Sequence, residues 1–177
     1  MLKPMATILP FLIACSLFAQ NKGKKVGATV AWMSPQEAEN RLNDQKKPLL
    51  IDVYTDWCHY CKVMDNTTWT NQNVAAYLEK YFYPIKFNAE NKGPVSWMGK
   101  MYEYKPTYKV HMLAAEWLQG NMVYPSTVLI PPEGGPVVIP GVLKVKEIEP
   151  ILKYFGEKHY LTTEWDAFKK NYHPGWN

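Results

Sequence analysis

The chain has 177 residues, 47% of them hydrophobic, and carries 20 basic against 16 acidic side chains for a formal charge of +4. That length suits one domain with decorations and a real core. The lysines are spread out, Arg41 is the lone arginine and no basic stripe is visible, so a nucleic acid partner is excluded as an indicated function.

The first 20 residues carry one lysine, Lys3, then an apolar stretch from Met5 to Phe18 that ends in Leu17-Phe18-Ala19-Gln20. This is the build of a secretory signal peptide, and it is too short and too close to the N-terminus for a membrane span. Cleavage near Ala19 or Gln20 removes Cys15 and Lys3, which takes the formal charge from +4 to +3 and leaves Cys58 and Cys61 as the cysteines of the mature chain. Leu12-Ile13-Ala14-Cys15 also resembles a bacterial lipoprotein box, in which Cys15 is acylated; ordinary cleavage is preferred because the apolar run continues past Cys15. The expected location is the periplasm, an oxidising compartment in which disulfides persist.

Residues 21–27 form a polar, lysine-rich linker, and a domain is expected over 28–158 with an extension over 159–177. A short strand is expected at 28–32. Ser34-Pro35-Gln36-Glu37 is a capping box with proline at the first helical position, so a helix runs to about Asp44. Leu49-Leu50-Ile51-Asp52-Val53-Tyr54 is nearly continuously apolar, as a central strand buried on both faces requires. A helix follows over 58–67, another over 71–81, and a strand over 83–87. Residues 91–109 are dense in aromatic residues and methionine between Pro94 and Pro106, and read as an added helix on the core. A helix over 110–119 ends at Gly120, a left-handed cap. Strands at 127–130 and 136–139 are joined by a hairpin signal, Pro131-Pro132-Glu133-Gly134-Gly135. A helix over 145–158 presents Ile148, Ile151, Leu152 and Phe155 on one face, and a last short helix covers 162–168.

Asp56-Trp57-Cys58-His59-Tyr60-Cys61-Lys62 stands where the buried strand runs into its helix. One helical turn brings the two sulfurs to one face, so they can close a disulfide. Cys58 falls at the helix N-terminus, where unpaired N–H groups and the macrodipole favour a thiolate. It is therefore the expected nucleophile, exposed to solvent, and Cys61 the resolving thiol. Half of a zinc site is disfavoured because His111, His159 and His173 are scattered singly. A structural bridge closing so short a loop would add little chain-entropy stabilisation. A Cu(I) site made by Cys58, Cys61 and Met64 or His59 is the alternative, since soft ligands favour that ion. No resident cofactor or metal is otherwise expected.

The pattern as a whole resembles the thioredoxin superfamily over about 29–158, most closely its exported members such as the C-terminal domain of the bacterial thiol:disulfide interchange reductase. The resemblance rests on Trp57-Cys58-His59-Tyr60-Cys61-Lys62, on Asp52 in the preceding strand and on Tyr124-Pro125-Ser126-Thr127. It implies an α/β thioredoxin-like fold, a central mixed β-sheet flanked by helices, with a helical insertion and a short C-terminal helical extension. It also implies a protein-disulfide oxidoreductase, more as reductase than oxidant, acting as a monomer on protein thiols and disulfides with a membrane thiol reductase as candidate electron donor. Asp52 would assist deprotonation of the resolving thiol, a role that desolvation of a buried acid supports. Trp57, His59, Tyr60, Tyr124 and Pro125 would contact substrate, Pro125 through a cis peptide bond. His59-Tyr60 replaces the Gly-Pro common in cytosolic thioredoxins, and an imidazole beside Cys58 would favour the thiolate.

Overall fold

The computed structural model describes residues 29–177; the expected leader, Cys15 and the 21–27 linker lie outside the described residues. Ser34 caps α1 (Pro35–Asp44) as expected: its Oγ accepts the Glu37 N–H at 3.2 Å, and Glu37 Oε2 accepts the Ser34 N–H at 2.7 Å. Chain order then runs through β1 (Leu49–Tyr54), α2 (His59–Thr67), α3 (Gln72–Tyr81), β2 (Tyr83–Asn88), the short strands β3 (Val95–Trp97), β4 (Lys100–Tyr102), β5 (Tyr104–Lys105) and β6 (Val110–His111), and α4 (Met112–Trp117). It closes with β7 (Ser126–Ile130), β8 (Val137–Pro140), α5 (Val145–Gly156), a 3-10 turn at His159–Leu161 and α6 (Trp165–Asn171).

The main sheet has the order β2-β1-β7-β8, with β1 and β2 parallel and the last two strands antiparallel. Because successive side chains of a strand point to opposite faces, β1 feeds two cores. Leu49, Ile51 and Val53 join Ile85, Phe87, Ala38 of α1 and Leu113 and Trp117 of α4. Leu50 joins Met64 of α2, Val74 and Leu78 of α3, and Ile148 and Leu152 of α5. Each such side chain, fully buried, is worth about 1.5–3 kcal/mol over its exposed state. Asp52 belongs by alternation to the Leu50 face, so the strand delivers one carboxyl beneath α2.

Two expected elements form differently. Residues 91–109, expected as a helical insertion, are built of hairpins rather than a helix. β3 pairs with β4 and β5 with β6. Met98 (φ 49°) and Gly99 (φ 73°) both lie in the left-handed region, the two-residue turn whose twist suits a hairpin. The aromatic residues serve that geometry: Trp97 and Tyr102 enter the core while Met101 is exposed. The density of large apolar side chains suits either a helix or a strand, and their alternating burial here is that of strands. The hairpin is tied to α4 by Tyr102, whose hydroxyl donates to Glu116 Oε1 at 2.6 Å, and to α1 through the Met98 N–H, which donates to Glu39 Oε2 at 3.1 Å.

The expected strand at 28–32 is also absent over its described part. The Val30 N–H donates to Trp69 O at 3.2 Å, and Trp32 packs edge-on against Trp69 at 5.1 Å. Only Met33 reaches the sheet, as a parallel bridge to Ile85. The helix expected from 110 begins at Met112, because His111 is its cap. His111 Nδ1 accepts the Leu113 N–H at 3.2 Å, which places the ring proton on Nε2, 3.1 Å from Gly93 O. Burial holds His111 below the ordinary histidine range, partly offset by the Gly93 carbonyl. Among the described residues no helix is long and apolar enough to cross a membrane.

Candidate redox site

The site is assembled where β1 ends. The Cys58 N–H donates to Thr55 O at 3.2 Å, turning the chain into α2. Cys58 is itself the N-cap: its Sγ accepts the Cys61 N–H at 3.1 Å, the position an N-cap side chain takes. Cys58 and Cys61 are joined in a disulfide with their Cα atoms 5.3 Å apart. The expected exposure of Cys58 is not found. Its residue is only 4% exposed, beside 3% for Cys61, because the capping geometry turns the sulfur back over the first turn of the helix.

Aromatic side chains rise around the buried disulfide. Trp57 and Tyr60 are 67% and 64% exposed. Trp57 meets Tyr124 edge-on at 6.0 Å, and His59, exposed at the first position of α2, meets Tyr60 edge-on at 5.6 Å. The Tyr124–Pro125 bond is cis and Pro125 is buried, its carbonyl accepting the Gly141 N–H at 2.8 Å. Burial, with Glu90 adding to it, pushes the Tyr124 hydroxyl up to about 12. Met64, the thioether of the Cu(I) alternative, is fully buried in the core beside Leu50, Trp69 and Leu78, where it packs.

Asp52 is 1% exposed. The parallel register sets it opposite Lys86 of β2, and Lys86 Nζ lies 3.0 Å from Asp52 Oδ2. The same ammonium contacts Asp65 Oδ1 on α2. Among the described residues Asp52 Oδ1 has no hydrogen-bond partner, nor has the Trp69 Nε1 that faces the carboxylate and weakly favours its charged form. Burial raises the Asp52 pKa from 3.8 to about 6, against the pull of Lys86. Burial draws Lys86 down, but Asp52 and Asp65 more than offset it and leave it raised. Lys86 and Asp65 were not singled out in the sequence. An acid one turn after Cys61 and a lysine in the next strand were the only local signals, and neither reveals the register that joins them.

A stability prediction follows from Asp52 alone. Its folded pKa lies above its ordinary value, so between 3.8 and about 6 the folded state binds a proton that the unfolded chain does not. Stability from this group is therefore gained as pH falls through that window and lost as pH rises through it, by about 3 kcal/mol in all. Asp52→Asn should remove that dependence. Urea unfolding across the window is expected to show the variant gaining on the native protein as pH rises; parallel profiles would refute it.

Comparison with known proteins agrees with this architecture. Residues 35–156 match the family described as thioredoxin-like domain. An uncharacterised protein of Caenorhabditis elegans is 26% identical over 102 residues, 58% of this chain but 12% of that protein. An uncharacterised protein of Archaeoglobus fulgidus is 28% identical over 92 residues, 51% of this chain and 68% of its own. The chain thus spans only a small part of the first of these relatives. A thioredoxin-fold protein from Helicobacter pylori superposes with a TM-score of 0.53 at 15% identity, covering 82% of this chain and 88% of its own, which shows the shared fold. With the match extending from the start of α1 to the end of α5 and enclosing the disulfide, the chain belongs to the thioredoxin-like domain family.

Proposed function

We propose that the protein is an exported thiol:disulfide oxidoreductase that reduces protein disulfides. The observation that carries this reading is the Cys58–Cys61 disulfide at the N-terminus of α2, inside a thioredoxin-like domain. Once the pair is reduced, the Cys58 thiolate attacks one sulfur of a substrate disulfide; the other substrate sulfur leaves as a thiolate and takes a proton from solvent. Cys61 gives its proton to Asp52 and attacks Cys58, which re-forms the bond between the two cysteines and releases the second substrate thiolate. Two electrons pass from the dithiol to the substrate.

Asp52 suits the role of base because it is buried on the face of β1 that packs against α2, and its pKa of about 6 leaves it ionised yet avid for a proton at neutral pH. Trp57, His59, Tyr60 and Tyr124 offer an aromatic docking surface around the sulfurs, and the cis bond at Pro125 turns the backbone of Tyr124 toward an extended substrate segment. The leader supports export to the periplasm with ordinary cleavage, and the reducing partner is a membrane thiol reductase. The enzyme acts as a monomer.

Cys61→Ser tests the proposal. Without the resolving thiol, substrates are expected to accumulate as mixed disulfides on Cys58, released by dithiothreitol and lacking in the Cys58→Ser/Cys61→Ser double variant. Equal labelling of both variants would sink the reading. Equilibration of the native pair with glutathione should give a potential near roughly −270 mV; one near roughly −120 mV would make it an oxidant.

A further inference from the structure

The half-buried cation at the site is shared with a residue that the exchange chemistry does not require. Lys86 reaches over the sheet from the edge strand β2 and meets two carboxylates, Asp52 on β1 and Asp65 on α2. Among the described residues Asp52 receives a single contact at Oδ2, at 3.0 Å, while its Oδ1 is left without a partner. A buried carboxylate normally collects donors at both oxygens. Here the third side of the ammonium faces the Tyr54 ring at 4.9 Å and the Trp32 ring at 5.5 Å, so its remaining direction is aromatic. Asp65 therefore takes up part of the ammonium's donor capacity, and the Trp69 Nε1 is the other donor that faces the Asp52 carboxylate. Asp65 sits one turn beyond Cys61 on α2, so the helix that bears the resolving thiol also bears the group that competes for Asp52's cation.

We propose that Asp65 is a positioning residue: by holding Lys86, it keeps the ammonium from fully neutralising Asp52 and so preserves Asp52 as a base for Cys61. This rests on the oxidoreductase reading above. In the resolving step the Cys61 proton passes to the Asp52 carboxylate, the Cys61 sulfur bonds to Cys58 Sγ, and the bond from Cys58 to the substrate breaks, its electron pair leaving on the substrate sulfur. Asp52 then returns its proton to solvent. Lys86 lines an open cleft of about 550 Å³ with Ser34, Asn88, Asn91 and Ser96, so water reaches its side chain.

The groups that face Asp52 are Lys86 from β2, Asp65 from α2, the Trp69 indole after α2, and Tyr54 from β1, whose hydroxyl is held above its ordinary value by burial and by the nearby acids. Of these, only Asp65 raises the proton affinity of Asp52 by its charge, and Lys86 lowers it. Removing the two should therefore move Asp52 in opposite directions. A pocket merely loosened by either substitution would not produce that sign change.

The test follows the Asp52 carboxyl by carbon NMR through a pH titration of the oxidised protein, in which neither cysteine titrates and no turnover is needed. In Asp65→Asn the midpoint is expected to fall by about 1 pH unit as Lys86 turns fully to Asp52. In Lys86→Gln it is expected to rise. With the reduced protein and an aromatic disulfide whose leaving thiol is coloured, the second thiol is expected to be released about threefold more slowly in Asp65→Asn at mildly alkaline pH, with the first release unchanged. An Asp52 midpoint that stays put in Asp65→Asn, or that moves the same way in both variants, overturns the proposal. Failure of the oxidoreductase reading would show separately, as turnover retained without Cys58.

Discussion

With Cys58→Ser, dithiothreitol-driven insulin reduction falls to the uncatalysed background, a loss of about three orders of magnitude or more. The variant is informative because serine preserves almost everything else at the position. Cys58 is the N-cap of α2 and accepts the Cys61 N–H; serine is among the preferred capping residues, so its Oγ takes over that bond. The lost disulfide spans a sequence separation of 3, and closing so short a loop contributes at most about 2 kcal/mol. The folded protein is thus expected to remain, with an unchanged far-ultraviolet spectrum and a modestly lower melting temperature. What disappears is the ionisable sulfur, since a hydroxyl stays protonated at neutral pH and forms no disulfide. Turnover retained in a folded Cys58→Ser protein would end the assignment.

Glu149→Ala is the substitution expected to cost most stability, about 2–4 kcal/mol, or a fall of about 10 °C in melting temperature. Glu149 lies on α5 and is 2% exposed. Its Oε1 accepts the Tyr172 hydroxyl at 2.8 Å and the Gly175 N–H at 3.0 Å, and its Oε2 accepts the Trp176 N–H at 2.8 Å. The ring of Trp176 then packs on Tyr77 of α3 at 5.3 Å, and Asn71 Nδ2 donates to the Asn177 carbonyl at 2.6 Å. One carboxylate therefore docks the C-terminal tail across two helices. Alanine removes all three acceptor bonds, and the tail gives up its packing with them. Glu149→Gln, which keeps one carbonyl oxygen, should fall between. Hydrogen exchange supplies the signature: the Gly175 and Trp176 amides lose protection in Glu149→Ala while the amides of β1 keep theirs. Uniform loss along the chain, or none, would contradict this account.

Much of the site was legible from neighbours in the chain. The capping box at Ser34, the buried run of β1 and the passage from that strand into α2 at Cys58 all follow from residues within a few positions of one another, and each formed as expected; the cis bond before Pro125, also present, was implied by the family resemblance. Residues 91–109 did not, because Trp97, Met101 and Tyr102 satisfy a crude test of apolar density for either helix or strand. The decision came from the left-handed pair Met98 and Gly99, a turn signal that the aromatic residues masked.

The amino-acid order by itself determined the chemistry available: two thiols one turn apart, with one of them where a helix begins, and a lone acid in the strand beneath. It could do so because caps, periodicities and turn signals act between residues close along the chain. Only the tertiary structure decided what surrounds that chemistry. The parallel register of β1 and β2 set Lys86 against Asp52, the packing of α2 brought Asp65 to the same ammonium, and the fold closed over Cys58. Proton affinity and burial depend on charges and surfaces contributed by segments distant in sequence, so they come into being only when the sheet and its helices have met.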